Sequence, residues 1–139
     1  KASEGKAVMT MISENLAQVY NSAPICILTF LTWTMQDIVD ILRTTTGFDY
    51  DLKEIVECGE RIWLLKRGLD NLMGVRAADD RLPKRILTPT NEGGAAGSVP
   101  NIELMLKEYY PLRGLNANGR PLKKKLNSLG LADLAAKLK

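Results

Sequence analysis

The longest helical pattern in this chain spans residues 51–73 and reads DLKEIVECGERIWLLKRGLDNLM. It opens with Asp51 and Glu54 at the spacing of a capping box, in which each side chain binds the other residue's backbone N–H. Its apolar residues cover more than one stripe, so we expect a central helix with neighbours on several sides. Glycine costs roughly 1 kcal/mol relative to alanine in a helix, so we expect another backbone to approach closely at Gly59 and at Gly68. The apolar residues are Leu52, Ile55, Val56, Ile62, Trp63, Leu65, Leu69 and Leu72.

Two further helical patterns precede this segment. Residues 4–20 carry apolar side chains at helical spacing, and Pro24 stops that helix because it has no N–H to donate. A second helix begins at Thr34, where Asp37 stands at the spacing of a weaker capping box, and ends at Gly47. The chain is therefore re-aimed twice before the long helix starts.

The remainder of the chain also lacks paired strands. Glycines and prolines in residues 74–100 rule out a long helix and predict one long loop. Helical patterns resume over 102–110, and shorter ones follow from Pro121 onwards. Residues 25–31 carry a strand signal but have no hairpin partner. We therefore predict one all-α domain over residues 1–139, an irregular orthogonal arrangement of about five to six helices.

Composition excludes several classes of function. The chain has 139 residues, 45% of them hydrophobic and 25% charged, which is typical of a globular domain. It contains no histidine, so it has no His base or His metal ligand of its own. A net charge of +3 is too small to indicate nucleic acid as a partner. Two cysteines and the lack of a signal peptide predict a cytoplasmic protein, and because the chain starts at Lys1 we expect a fragment of a longer one.

Residues 21–33, NSAPICILTFLTW, form the most apolar run. The run is shorter than the roughly 20 apolar residues that a membrane-spanning helix needs, so no membrane span is predicted. Cys26 within it is either a small buried apolar residue or a ligand. One thiolate holds an iron–sulfur cluster only when other cysteines complete the set, and Cys58, in mid-helix, is expected to pack in the core.

Charged residues in the central helix are expected to form structural ion pairs. Glu60 and Arg61 would be costly to bury alone, so we expect them to pair with Asp70 or with a residue of the loop 79–85. Residues 123–125, three successive lysines, are interpreted as a solvated helix face.

Several blocks of the sequence, taken in order, resemble the C-terminal part of the tungsten-containing aldehyde:ferredoxin oxidoreductase family. The resemblance covers roughly residues 15–131. The blocks are GERIWLLKR at 59–67, DRLPKR at 80–85, LKEYYPLRG at 106–114, GRP at 119–121 and LNSLGL at 126–131. It implies a helical last domain beside a bis-pterin tungsten cofactor and a [4Fe–4S] cluster, neither of which this fragment completes.

The resemblance also implies a site. In the family, a segment of pattern Asp-x-x-Gly-Leu-Cys supplies the last cysteine of the cluster and contacts the pterin, and it corresponds here to residues 21–26. Cys26 is then the cluster ligand, while Asn21 and Ile25 are the pterin contacts. Asn21 replaces an aspartate, and Pro24 replaces a glycine and has no N–H to offer.

Three functions follow as hypotheses. By resemblance, the parent protein oxidises an aldehyde to a carboxylic acid and passes electrons to ferredoxin or another electron-transfer subunit, while the isolated domain is inactive. Its partners would be the preceding domains of the same chain, with a homo-oligomer as a further expectation. One alternative is the catalytic-subunit domain of a tungsten-dependent aromatic acyl-CoA (benzoyl-CoA) reductase. Another is a stand-alone helical interaction module that binds through the loop 74–100. An excised domain should also expose apolar surface that the parent covers.

Overall fold

A computed structural model describes residues 3–138, apart from the side chains of Ile27 and Phe30. Among these residues the chain forms seven α-helices and two 3₁₀ turns, with a single isolated bridge between Leu115 and Pro121 in place of a sheet. The predicted all-α class is confirmed. The helices are α1 Lys6–Ser22, α2 Met35–Thr46, α3 Leu52–Leu72, α4 Lys84–Leu87, α5 Ile102–Arg113, α6 Lys123–Ser128 and α7 Ala132–Lys137.

Helix α3 is the central element, since it packs against α1, α2 and α7. Its predicted capping box is present: Glu54 N–H donates to Asp51 Oδ1 at 2.7 Å, and Asp51 N–H donates to Glu54 Oε2 at 2.9 Å. The weaker box that opens α2 is also present, with Asp37 N–H donating to Thr34 Oγ1 at 3.2 Å. Contacts over three residues therefore start both helices where the sequence predicts.

The two glycines of α3 lie where neighbours come close. A Cβ on Gly59 would lie 2.2 Å from the backbone oxygen of Asn15 in α1, so the predicted backbone approach is confirmed there. A Cβ on Gly68 would instead lie 2.4 Å from Leu134 Cδ2. The expectation of a backbone at Gly68 is wrong, because the neighbour in α7 is a side chain.

The core has two clusters along α3. One joins α3 to the C-terminal helices around Leu64, and the other joins α1 and α2 to α3 around Ile55. Ile25 packs against the second cluster. The first contains Leu64, Leu115, Leu126, Leu129, Leu134, Ala135 and Leu138, and the second contains Val19, Tyr20, Ile38, Val39 and Ile55.

Two connecting segments differ from prediction. Residues 27–31, which lie within the lone strand signal, form a 3₁₀ turn, because the described residues offer them no strand to pair with. The loop 74–100 contains a 3₁₀ turn at Ala77–Asp79 and the single turn α4, and this short helix brings the count to seven. Residues 83–99 are exposed throughout. Among the described residues, no helix is long and apolar enough to cross a membrane.

Candidate cofactor-facing site

The segment that leaves α1 stays attached to that helix. Asn21 lies in the last turn of α1 and is exposed. Ala23 N–H then donates to Val19 O at 2.9 Å, and Ile25 N–H donates to Tyr20 O at 3.0 Å. Ile25 is half-buried against the core, so its N–H and its side chain are both engaged within the domain. Two of the predicted site residues, Asn21 and Ile25, therefore move together with α1.

Cys26 is exposed and is not part of a disulfide. It caps the 3₁₀ turn, and its carbonyl oxygen accepts hydrogen bonds from Thr29 N–H at 3.0 Å and Thr29 Oγ1 at 2.7 Å. This exposure contradicts the alternative in which Cys26 is a small buried apolar residue, while its role as a ligand stays a prediction. Cys58, expected in the core, is only half-buried and lines a surface cavity beside Arg61.

Three large apolar side chains that follow Cys26 in the sequence are exposed. Leu28 has 67% of its surface exposed, Leu31 has 80% and Trp33 has 38%. Several large apolar side chains exposed within one short segment are typical of a surface that another protein surface covers. The expected exposure of apolar surface in this segment is therefore found.

The donor set of this site is incomplete within the described residues. Across residues 3–138, no group of three or more Cys, Asp or Glu side chains is placed to hold a metal ion. The thiol of Cys26 is the one sulfur donor on the exposed loop. Any cluster bound at Cys26 must therefore take its remaining ligands from outside these residues.

A buried arginine of α5 forms hydrogen bonds with α1. Arg113, at the end of α5, has no exposed surface. Its Nη2 donates to Met11 O at 3.1 Å and to Glu14 Oε2 at 2.7 Å, and its Nη1 donates to Asn15 Oδ1. Its guanidinium also stacks 4.3 Å from the centre of the Trp63 ring, an arrangement that favours a planar cation.

Tyr109 completes this network. Its hydroxyl donates to Glu14 and accepts from Arg113 Nε at 2.9 Å. Burial, followed by the hydrogen bond to Glu14, raises the pKa of Tyr109 above its ordinary value. The phenol therefore stays protonated and neutral, as a hydrogen-bond donor to a carboxylate must.

A second arginine anchors the start of the long loop. Arg67 of α3 binds Asp80 with both terminal nitrogens, at 2.7 and 2.6 Å, and donates from Nε to Gly119 O at 2.8 Å. Tyr110 adds a hydrogen bond to Asp80 Oδ2 at 2.5 Å. Burial is the largest single effect and raises the pKa of Asp80, but the hydrogen bonds from Arg67 and Tyr110 and the charge of Arg67 together outweigh it, so the net pKa lies below the ordinary value. Burial and the bond to Asp80 raise the pKa of Tyr110 to about 12.

These two networks gather residues from the blocks at 59–67, 80–85, 106–114 and 119–121. The sequence analysis did not identify Arg67, Asp80, Tyr109, Tyr110 and Arg113 as site residues, because most of their partners lie far away along the chain. The one available signal was the repeated presence of arginine and tyrosine in those blocks.

The expected pairing of Glu60 and Arg61 is wrong in its partners. Glu60 binds Lys125 Nζ at 2.8 Å, and Arg61 lies 3.4 Å from Glu57 and donates to Leu129 O at 2.8 Å. Lys125 is therefore a paired residue and not part of a fully solvated face.

Known proteins are similar to this chain over most of its length. The family model for aldehyde ferredoxin oxidoreductase, domains 2 and 3, matches residues 1–131. A tungsten-containing aldehyde ferredoxin oxidoreductase of Pyrococcus horikoshii is 36% identical over 138 residues, and one of Pyrococcus furiosus is 35% identical over 133 residues. Each alignment covers 94% of this chain but 22% of the relative, so the chain spans about a fifth of the length of these relatives.

A solved structure shares the fold. The structure, described as the active site complex BamBC of benzoyl coenzyme A reductase with 1,5-dienoyl-CoA, aligns with a TM-score of 0.61 and 22% identity. The alignment covers 76% of this chain and 15% of the other. The helical arrangement is thus one already seen in a larger enzyme. The family is shown by the family model, which matches residues 1–131. This chain belongs to the aldehyde ferredoxin oxidoreductase family.

Proposed function

We propose that this chain is the C-terminal helical domain of a tungsten-containing aldehyde ferredoxin oxidoreductase. In this role it contributes one cysteine to a [4Fe–4S] cluster and part of the wall that faces a bis-pterin tungsten cofactor. The observation that carries the proposal is the exposed thiol of Cys26 on an exposed apolar loop, in a chain of this family.

The residues present fit part of such a site. Cys26 would ligate iron as a thiolate, and the neighbouring Leu28 would belong to the apolar shell that tunes a cluster's potential. Asn21 is exposed and would offer its amide to the pterin. Ile25 would contact the pterin through its carbonyl group, because its N–H already binds Tyr20 O. When bound, the tungsten cofactor supplies the two-electron oxidation and the cluster relays single electrons.

The activity belongs to the whole protein. Oxidation of an aldehyde with water to a carboxylic acid releases two protons and two electrons, and two molecules of ferredoxin would accept one electron each. The isolated domain is expected to be inactive, because it holds one cluster ligand among its described residues. The preceding domains of the same chain and ferredoxin are the proposed partners, in the cytoplasm, with homo-oligomers as an additional assembly.

The aromatic acyl-CoA reductase function is retained as a second candidate. The fold shared with the benzoyl coenzyme A reductase complex favours it, although at 22% identity the likeness concerns the fold alone. The stand-alone interaction module has less support, because the family match over residues 1–131 includes helices α1 to α6 and not just the loop 74–100.

The proposal is tested on the full-length parent protein by replacing Cys26 with serine. We expect Cys26→Ser to lower the iron content and to alter the electron paramagnetic resonance spectrum of the reduced cluster. Cys58→Ser is the matched control, because this second thiol lies within α3, and it should leave both readouts unchanged. Equal iron content and identical spectra in the wild type and the Cys26→Ser variant would contradict the proposed ligation.

The substrate is tested separately. The purified parent protein should reduce ferredoxin with an aldehyde as electron donor, and should not reduce an aromatic acyl-CoA with a low-potential donor. The reverse result would replace the main function with the reductase alternative while leaving the role of Cys26 intact.

A further inference from the structure

We infer that Arg113 is a positioning residue for the loop that carries the cluster ligand Cys26. Its hydrogen bonds fix the position of α1 along its axis and the rotation of α1 about that axis, and α1 leads directly into this loop. The inference rests on the proposed function, in which Cys26 is a ligand. Arg113 lies 87 positions after Cys26 in the chain and is buried in the domain.

The contacts of Arg113 with α1 are directional. It reaches a backbone carbonyl at Met11, a carboxylate at Glu14 and an amide at Asn15, three residues that share one face of the helix. Apolar contacts tolerate sliding, whereas hydrogen bonds to three successive points on a helix do not, because their geometry is steep in angle. Arg113 therefore restrains both the rotation of α1 and its translation along the axis.

A displacement of α1 would also displace Cys26. From Asn15 to Ser22 the helix rises roughly 10 Å at 1.5 Å per residue. Beyond Ser22, the backbone bonds from Ala23 and Ile25 return to the last turn of α1. The cysteine thus follows the helix without a flexible joint between them, and a displacement of α1 becomes a displacement of the thiol.

The side chain at position 113 must be arginine for this role. A guanidinium carries five N–H donors in a planar fork and stacks on an aromatic face, while an ammonium is a compact group with three donors. Arg113 uses Nε, Nη1 and Nη2 and stacks on Trp63. Lysine would keep the charge opposite Glu14 but would reproduce neither the planar fork nor the stack on Trp63.

The chain offers a matched control in Arg67. It is also a buried arginine with a carboxylate partner and a backbone acceptor, but its bonds go to Asp80 and Gly119 and none goes to α1. Replacement of either arginine by lysine should lower the domain's stability through the same loss of hydrogen bonds. Only the Arg113 variant loses hydrogen bonds to α1.

The test uses the full-length parent protein loaded with its cluster. Iron release to a chelator is followed by absorbance, the reduced cluster is examined by electron paramagnetic resonance, and melting temperatures are recorded for every variant. Outer residues that orient a metal ligand typically change metal affinity by about 10–100-fold. We therefore expect Arg113→Lys to release iron about tenfold faster and to change the line shape, while Arg67→Lys stays within about twofold of wild type.

A milder variant covers the case in which Arg113→Lys does not fold. Glu14→Gln keeps an acceptor for Arg113 and removes the charge, so it should give an intermediate rate of iron release. Equal release from the Arg113→Lys and Arg67→Lys proteins, at similar melting temperatures and with unchanged spectra, would overturn the inference. Failure of Cys26→Ser to lower iron content would instead overturn the proposed function on which it rests.

Discussion

Replacement of Gly59 by alanine tests the contact at the centre of the fold. An added Cβ would lie 2.2 Å from the backbone oxygen of Asn15, 2.8 Å from its carbonyl carbon and 3.1 Å from its Cα. Ordinary contacts of this kind begin near 3.4 Å, so the two helices would have to separate by about 1.2 Å. All three atoms belong to the backbone, so rotation of a side chain cannot relieve the overlap.

The expected loss of stability follows from two opposing terms. Overpacking of a core typically costs about 1–3 kcal/mol, and the upper end applies here because α1 must move as a body. Alanine is favoured over glycine in a helix by about 1 kcal/mol. We therefore expect Gly59→Ala to lower the free energy of unfolding by about 2 kcal/mol, or the melting temperature by about 8 °C for a domain of this size.

Two other glycines provide controls. At Gly68 the neighbour is the side chain of Leu134, which is buried in the core. Alanine should therefore also be destabilising there, by about 1 kcal/mol and less than at Gly59, because a side chain can shift without displacing a whole helix. Gly94 has no atom within 4 Å of an added Cβ, and alanine there should be neutral to within about 0.5 kcal/mol. Urea unfolding of the three variants, followed by circular dichroism, measures the differences. A Gly59→Ala protein as stable as wild type, or more stable, would refute the reasoning.

Two further predictions concern the half-buried phenol of Tyr110 and the exposed side chain of Leu31. Because the pKa of Tyr110 is raised from 10.0 to about 12, the stability that its protonated form contributes is complete below pH 10 and is lost as pH rises through 12. Tyr110→Phe should therefore make the free energy of urea unfolding decline less steeply between pH 10 and 12, and an unchanged slope would contradict the assignment. Leu31 is 80% exposed, so Leu31→Lys should alter folding stability by less than about 0.5 kcal/mol. Because the isolated domain is expected to self-associate through its exposed apolar surface, the same substitution should reduce self-association in sedimentation velocity experiments. Unchanged self-association would contradict this role of the surface.

The features that could be predicted from sequence are those set by near neighbours along the chain. The capping boxes at Asp51 and Thr34 involve residues three apart, and both are present. The breadth of the apolar pattern in residues 51–73 indicated a central helix, and α3 is central. Cys26 was identified as a candidate through a family resemblance and not through its chemistry alone, because a lone cysteine in an apolar run has two interpretations.

The partners of the charged residues could not be predicted in this way. Glu60 pairs with Lys125, 65 residues away, although the expected partner was Asp70 or a residue of the loop 79–85. Arg113 binds residues 98 to 102 positions earlier, and nothing in the local pattern points to them. Such pairings depend on which helices pack side by side, which is decided by the fit of whole surfaces.

By itself, the sequence determined the all-α class, the starts of α2 and α3, the lack of a histidine-based site and the likeness to one family. These follow from period, caps and composition, which act over a few residues or over the whole chain at once. Only the tertiary structure decided that Cys26 is exposed, that buried Arg113 links α5 to α1 while Arg67 links α3 to two connecting segments, and that Gly59 meets a backbone while Gly68 meets a side chain. Those features depend on long-range packing, in which two distant residues meet only because many other contacts bring their helices and loops together.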